Sequence, residues 1–86
     1  MRAGKLVGWH LRRLRVGMAL SQEAFAVDAG VDRSFVGRIE RGLENPTVET
    51  LEKFADVLGV HPYELLLPVK GSDKKPETLR RGRKKQ

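Results

Sequence analysis

The stretch Leu20–Gly42, LSQEAFAVDAGVDRSFVGRIERG, decides the fold. Ser21, followed by Gln22 and Glu23, reads as a helix start and Gly30 as a helix stop; Asp32 reads as a second start and Gly42 as a second stop. Apolar residues at Phe25, Ala26 and Ala29, and again at Phe35, Val36 and Ile39, recur at i, i+1, i+4, so each segment carries one stripe that must be buried. The result is two short amphipathic helices joined by Gly30-Val31-Asp32.

The ends of both helices have a local cause. The Ser21 hydroxyl can accept from an unpaired backbone N–H of the first turn, and Asp32 can do the same while its charge suits the positive end of the helix dipole. Gly30 takes the left-handed conformation that stops a helix without a Cβ clash. So short a connection makes the second helix pack across the first. DNA-binding helix-turn-helix proteins use that arrangement to push a recognition helix into the major groove.

These residues, continued by NPTVETLEKFADVLGV after the loop at Leu43-Glu44, resemble the phage-repressor and Cro (XRE) family of helix-turn-helix domains over roughly residues 6–67. The Gln-x-x-Phe-Ala opening, the Ala-Gly-Val turn, the Ile-Glu-x-Gly close and the Asn-Pro-Thr entry to the next helix all fall in one register. Asp-Arg-Ser-Phe-Val with Ile-Glu-Arg-Gly most resembles the small stand-alone controller-type regulators. The resemblance implies an all-α, lambda-repressor-like fold: a compact five-helix bundle containing the helix-turn-helix.

Elsewhere the pattern fits five helices. Residues 4–16 read as the first, with Leu6, Val7, Leu11 and Leu14 as its stripe and Trp9 and His10 as packing or surface residues. Ala19 stands where relatives usually have Gly, with Gly17 two residues earlier, so a different path out of this helix is expected. Thr47 caps a fourth helix over about 48–58, which should bury Leu51, Phe54, Ala55 and Leu58 before Gly59 ends it. A short fifth helix is expected from Pro62 to Leu66 or Leu67, with His61 as its cap and Pro62 at the position where a missing N–H does no harm.

Composition limits the function classes. At 86 residues and 40% hydrophobic, the chain holds one small core. There is no cysteine, so disulfides and thiolate metal sites are excluded, and no metal or cofactor is expected. Without a paired acid and base or a nucleophile in a cleft-forming context, an enzyme is not expected. No apolar run is long enough to cross a bilayer and no signal peptide is evident, which points to the cytoplasm and the nucleoid.

Charge is unevenly distributed. Through Pro68 nine Lys/Arg face nine Asp/Glu; from Val69 onward eight basic residues face two acidic ones, and this accounts for the whole formal charge of +6. We therefore divide the chain into a flexible start at 1–4, a helix-turn-helix domain at 5–68 and a basic tail at 69–86. The tail is too poor in apolar residues to offset its ordering entropy and is expected to be disordered.

Residue roles follow from the family match. The third helix, 33–41, is expected in the major groove with Arg33, Ser34, Gly37 and Arg38 at the bases. An Arg there can give two hydrogen bonds to O6 and N7 of guanine, or it can touch phosphates alone. Gly37 either permits a close approach or is a tolerated exposed position, at about 1 kcal/mol of helix propensity relative to Ala. Gln22, Arg41 and Asn45 match the family's phosphate contacts, which set register without reading sequence. By spacing alone Arg15 is a solvated helix arginine; the resemblance implies instead a largely buried ion pair with Glu40 and a reach to phosphate.

Tyr63, Leu65, Leu66 and Leu67 exceed what one short helix hides, so part of this set is expected in a dimer interface. The chain thus reads as a dimeric, sequence-specific DNA-binding transcriptional regulator, such as a repressor, acting on a palindromic operator in double-stranded DNA. Alternatives are an antitoxin or other protein-binding module with a partner such as a toxin, and tail-led non-specific nucleic-acid binding.

Overall fold

A computed structural model describes residues 2–69. Four α-helices follow one another, α1 (Ala3–Gly17), α2 (Gln22–Ala29), α3 (Arg33–Glu40) and α4 (Val48–Leu58), and a 3-10 helix (Pro62–Leu66) closes the described chain. No strand occurs among the described residues. The expected fifth helix is therefore one turn of 3-10 geometry. Pro68 explains this: the residue before a proline is driven out of the helical region, and Leu67 is extended at φ −64° and ψ 142°. Only five residues remain, too few for a repeating i→i+4 ladder. Helix α1 starts at Ala3, so residues 3 and 4, expected in the flexible start, are helical. Most of the basic tail, residues 70–86, lies outside the described residues.

All four α-helices end in the same closure. After α3, Gly42 N–H donates to Ile39 O at 2.9 Å and Leu43 N–H to Arg38 O at 2.9 Å, the paired bonds that satisfy otherwise unpartnered last-turn carbonyls. Equivalent pairs run from Gly30 and Val31, from Gly59 and Val60, and from Ala19 and Leu20. The closure needs a left-handed residue at its first donor. Gly30, Gly42 and Gly59 supply it at φ 73°, 75° and 69°, and Ala19 at φ 58° despite its Cβ. The exit from α1 is therefore turned by Ala19 itself, and Gly17 does not take a positive φ.

Caps at the helix starts are mostly as expected. Ser21 Oγ accepts from Ala24 N–H at 2.9 Å, and Thr47 Oγ1 accepts from Thr50 N–H at 3.1 Å. The His61 ring accepts from Tyr63 N–H at 3.4 Å. Asp32 occupies the capping position of α3 without a side-chain hydrogen bond, leaving the α3 N-terminus open.

The core gathers one face from each element. Phe25, Phe54, Leu11, Ile39, Leu65 and Val36 are fully buried, and Phe25 meets Phe54 edge to face with centroids 5.1 Å apart. Helix α4 buries Leu51, Phe54, Ala55 and Leu58, the four residues that its periodicity singles out. Helix α1 differs: it buries Val7, Gly8, His10, Leu11 and Arg15, while Leu6 and Leu14 are half-buried. It packs against α3 and the 3-10 helix, and α2 packs against α3 and α4.

Gly8 makes the α1–α3 contact possible. A Cβ at that position would lie 2.3 Å from Ile39 O and 2.9 Å from Glu40 O, so only glycine lets the two backbones come this close.

Candidate nucleic-acid interface

Helix α3 is held from beneath by two side chains that meet on its own Glu40. Arg15, reaching up from α1, donates through Nε to Glu40 Oε2 at 2.6 Å, through Nη2 to Glu40 Oε1 at 3.0 Å and through Nη1 to Leu20 O at 2.8 Å. Gln22 Nε2 donates to the same Glu40 Oε1 at 3.0 Å. The start of α2, the end of α1 and the end of α3 thus share one carboxylate.

Arg15 is thus turned toward the interior. Its side chain is 7% exposed and its recorded hydrogen bonds all point inward. A guanidinium committed to a buried carboxylate and a carbonyl is a structural group. Gln22 is half-buried, with its amide beside Gly37: a Cβ on Gly37 would stand 3.9 Å from Gln22 Oε1, in ordinary contact.

The outer face of α3 is open. Arg33 and Ser34 are exposed on the first turn, and Arg38 lies one turn beyond Ser34. Arg38 is not a free side chain: its Nε donates to Glu44 Oε2 at 2.7 Å, and its guanidinium carbon lies 6.0 Å from the centre of the Phe35 ring. The two side chains of this pair are 43% and 32% exposed, so the bond is solvent-facing. Arg41 occupies the C-cap position of α3 and is exposed, so the helix is one residue shorter than expected.

Asn45 is exposed in the loop after α3 and lies against the start of α1, where a Cβ on Gly4 would be 3.4 Å from its Oδ1. Between these segments opens a cleft of about 590 Å³ lined by Arg2, Gly4, Lys5, Gly42, Leu43, Glu44 and Asn45. Sequence reasoning did not single out Arg2, Lys5 or Glu44. The charge of Arg2 and Lys5 was visible, but their proximity to the α3–α4 loop was not.

The apolar C-terminal set divides. Tyr63, Leu66 and Leu67 are exposed, whereas Leu65 is fully buried in the core and is withdrawn from the expected dimer interface. So short a helix cannot show all four side chains to one side, and Leu65 is the one that closes the core between α1 and α4. His10 is buried beside this segment and ties it down, its Nε2 lying 2.9 Å from Leu67 O while Nδ1 lies 3.1 Å from Arg13 Nη2. Because guanidinium only donates and carbonyl only accepts, Nδ1 is the acceptor and Nε2 carries the proton.

Among the described residues no group of three or more His, Cys, Asp or Glu side chains could hold a metal ion, and no helix is long and apolar enough to cross a membrane.

Comparison with known proteins places this architecture. Residues 11–65 match the helix-turn-helix family HTH_3. A hypothetical transcription factor of Neisseria meningitidis is 40% identical over 63 residues, which cover 73% of this chain and 59% of that protein, so the likeness spans less than two thirds of the relative's length. The control protein C.BamHI of Bacillus amyloliquefaciens is 36% identical over 62 residues, covering 71% of this chain and 76% of that one. Among solved structures, the restriction-modification controller protein C.AhdI from Aeromonas hydrophila superposes with a TM-score of 0.69 at 42% identity, covering 72% of this chain and 94% of that one. With more than half of the chain matched and the two-helix unit braced as described, the chain belongs to the XRE-type helix-turn-helix family of DNA-binding transcriptional regulators.

Proposed function

We propose that this protein is a sequence-specific transcriptional regulator that binds a palindromic operator as a homodimer, with α3 of each copy in the major groove. The observation that carries the reading is the contrast between the two faces of α3. Its inner face is locked through Glu40 to Arg15 and Gln22, while Arg33, Ser34 and Arg38 stand on the outside. A rigid helix with protruding donors is what reading base edges requires.

In this reading Arg33, Ser34 and Arg38 contact bases, with Gly37 beside them, and Gln22, Arg41 and Asn45 contact phosphates. Tyr63, Leu66 and Leu67 form the dimer seam, so that two-fold protein symmetry matches two half-sites about one helical turn apart. Likeness to a control protein and to a restriction-modification controller protein favours the controller type of regulator. Such a regulator works in the cytoplasm, on the nucleoid. The basic tail adds sequence-independent attraction to DNA.

Selection of bound duplexes from a random pool tests this reading. The expected result is one palindromic motif whose conserved base pair, one per half-site, relaxes in Arg38→Ala, together with a dimer in sedimentation that Leu66→Asp weakens. Recovery of no motif, or equal weakening on all sequences in Arg38→Ala, would count against base reading by α3.

A further inference from the structure

Arg38 enters the outer face of α3 already held. Its Nε donates to Glu44 Oε2 at 2.7 Å, and its guanidinium lies over the Phe35 ring at 6.0 Å. Glu44 is brought there by the helix closure, because Leu43 N–H returns to Arg38 O at 2.9 Å and starts the loop beside the arginine's own backbone. Among the described residues no partner is recorded for either Nη group of Arg38.

A guanidinium can offer two parallel N–H bonds from two different edges. One edge combines Nε with Nη, the other combines the two Nη groups. Glu44 occupies Nε, so the first edge is taken and only the terminal edge remains. That edge matches the O6 and N7 acceptors of guanine. The same carboxylate brings a negative charge into a surface that must approach phosphates, where it weakens attachment to every duplex.

We propose that Glu44 is a positioning residue for base readout: it fixes the Arg38 guanidinium so that its terminal edge faces guanine, raising discrimination at one base pair per half-site while lowering affinity for DNA in general. The proposal rests on the reading of α3 given above. It assigns a specificity role to a loop side chain that need not itself touch DNA.

The test uses the full chain and four variants, Glu44→Ala, Glu44→Gln, Arg38→Ala and the double variant Arg38→Ala with Glu44→Ala, with folding checked by thermal melts. Each is titrated on the selected operator and on operators changed at the Arg38-dependent base pair, across a salt series. Glu44→Ala is expected to bind all duplexes about 2–5-fold more tightly at low salt, from removal of the charge, and to lose about 3–10-fold of its preference for guanine at that position, part of what a bidentate pair supplies. Glu44→Gln keeps an oxygen acceptor for Nε, so it should share the tighter general binding yet hold its preference within about twofold. In the Arg38→Ala background, Glu44→Ala should leave discrimination at that base pair unchanged.

An Arg38-dependent guanine whose preference survives Glu44→Ala would overturn this proposal and leave α3 as the reading helix. Equal loss in the Ala and Gln variants would also overturn it, because the effect would then follow charge and not geometry. A wild-type protein that selects no motif would instead overturn the reading of α3, and this proposal with it.

Discussion

Arg15 and Glu40, 25 residues apart in the chain, form a two-bond ion pair in which the side chains are 7% and 3% exposed. The pair joins α1 to the end of α3, and Glu40 also takes the Gln22 amide, so the orientation of α3 depends on a charge that no solvent supports. The Arg15 guanidinium has one further partner, the Leu20 carbonyl. Orientation of α3 and stability of the domain therefore have a common origin.

Glu40→Ala leaves a cation stranded in the interior. Breaking a buried pair by removing one partner costs roughly 3–5 kcal/mol, against under about 1 kcal/mol for a surface pair. Urea melts of Glu40→Ala are expected to show the larger loss, and a change below about 1 kcal/mol would place the pair in solvent. Arg15→Met combined with Glu40→Leu should recover much of the stability, because no unpaired charge remains.

Two glycines inside helices should respond in opposite directions. Gly8→Ala would drive a Cβ to within 2.3 Å of Ile39 O, so α1 and α3 must part, and we expect a net loss of about 1–3 kcal/mol as for an overpacked core. Gly37→Ala meets only the Gln22 amide at ordinary contact distance and should gain about 1 kcal/mol of helix propensity. Thermal melts of the two variants measure both effects. Operator affinity of Gly37→Ala then shows whether the DNA needs that space.

Ala19→Gly is expected to stabilise the protein. A left-handed non-glycine residue costs about 1–2 kcal/mol, part of which is offset by the greater freedom of glycine in the unfolded chain. The net gain should be about 0.5–1 kcal/mol in the urea midpoint, with operator affinity unchanged. A loss of stability would mean that Ala19 makes a packing contact outweighing its backbone strain.

Ending the chain at Pro68 removes eight basic and two acidic residues from a body that is otherwise formally neutral. Each phosphate neutralised adds roughly 0.9 to the slope of log affinity against log salt, and not every charge of the tail has to meet a phosphate. The truncated protein should bind more weakly at low salt with a slope shallower by about 2–5, and its preferred site should stay the same. Equal slopes for the two lengths on one operator would remove the tail from the mechanism.

The α-helices, their order and most of their ends were legible in the residues alone. Ser21, Thr47, Gly30, Gly42 and Gly59 act within a few positions of themselves, through hydrogen bonds and backbone conformations that short-range rules describe. The α4 stripe of Leu51, Phe54, Ala55 and Leu58 was equally plain, because one period on one helix defines a face. The same periodicity marked Val36 and Ile39 for the interior, and the family resemblance put Arg33 and Ser34 on the open side, where both are exposed.

Contacts between segments distant in the chain were decided only when the helices packed. Periodicity made Leu6 and Leu14 equal members of the α1 stripe, but the crossing with α3 rotates that helix to bury Gly8 and Arg15 instead. Leu65, Leu66 and Leu67 are chemically identical, and only the packing of one turn between α1 and α4 sends Leu65 into the core and leaves the other two outside. Sequence determined which side chains were available at the outer face of α3. Tertiary structure decided which of them was committed: Arg38 is held at the surface by Glu44, because a charge takes the partner that packing brings within hydrogen-bond reach.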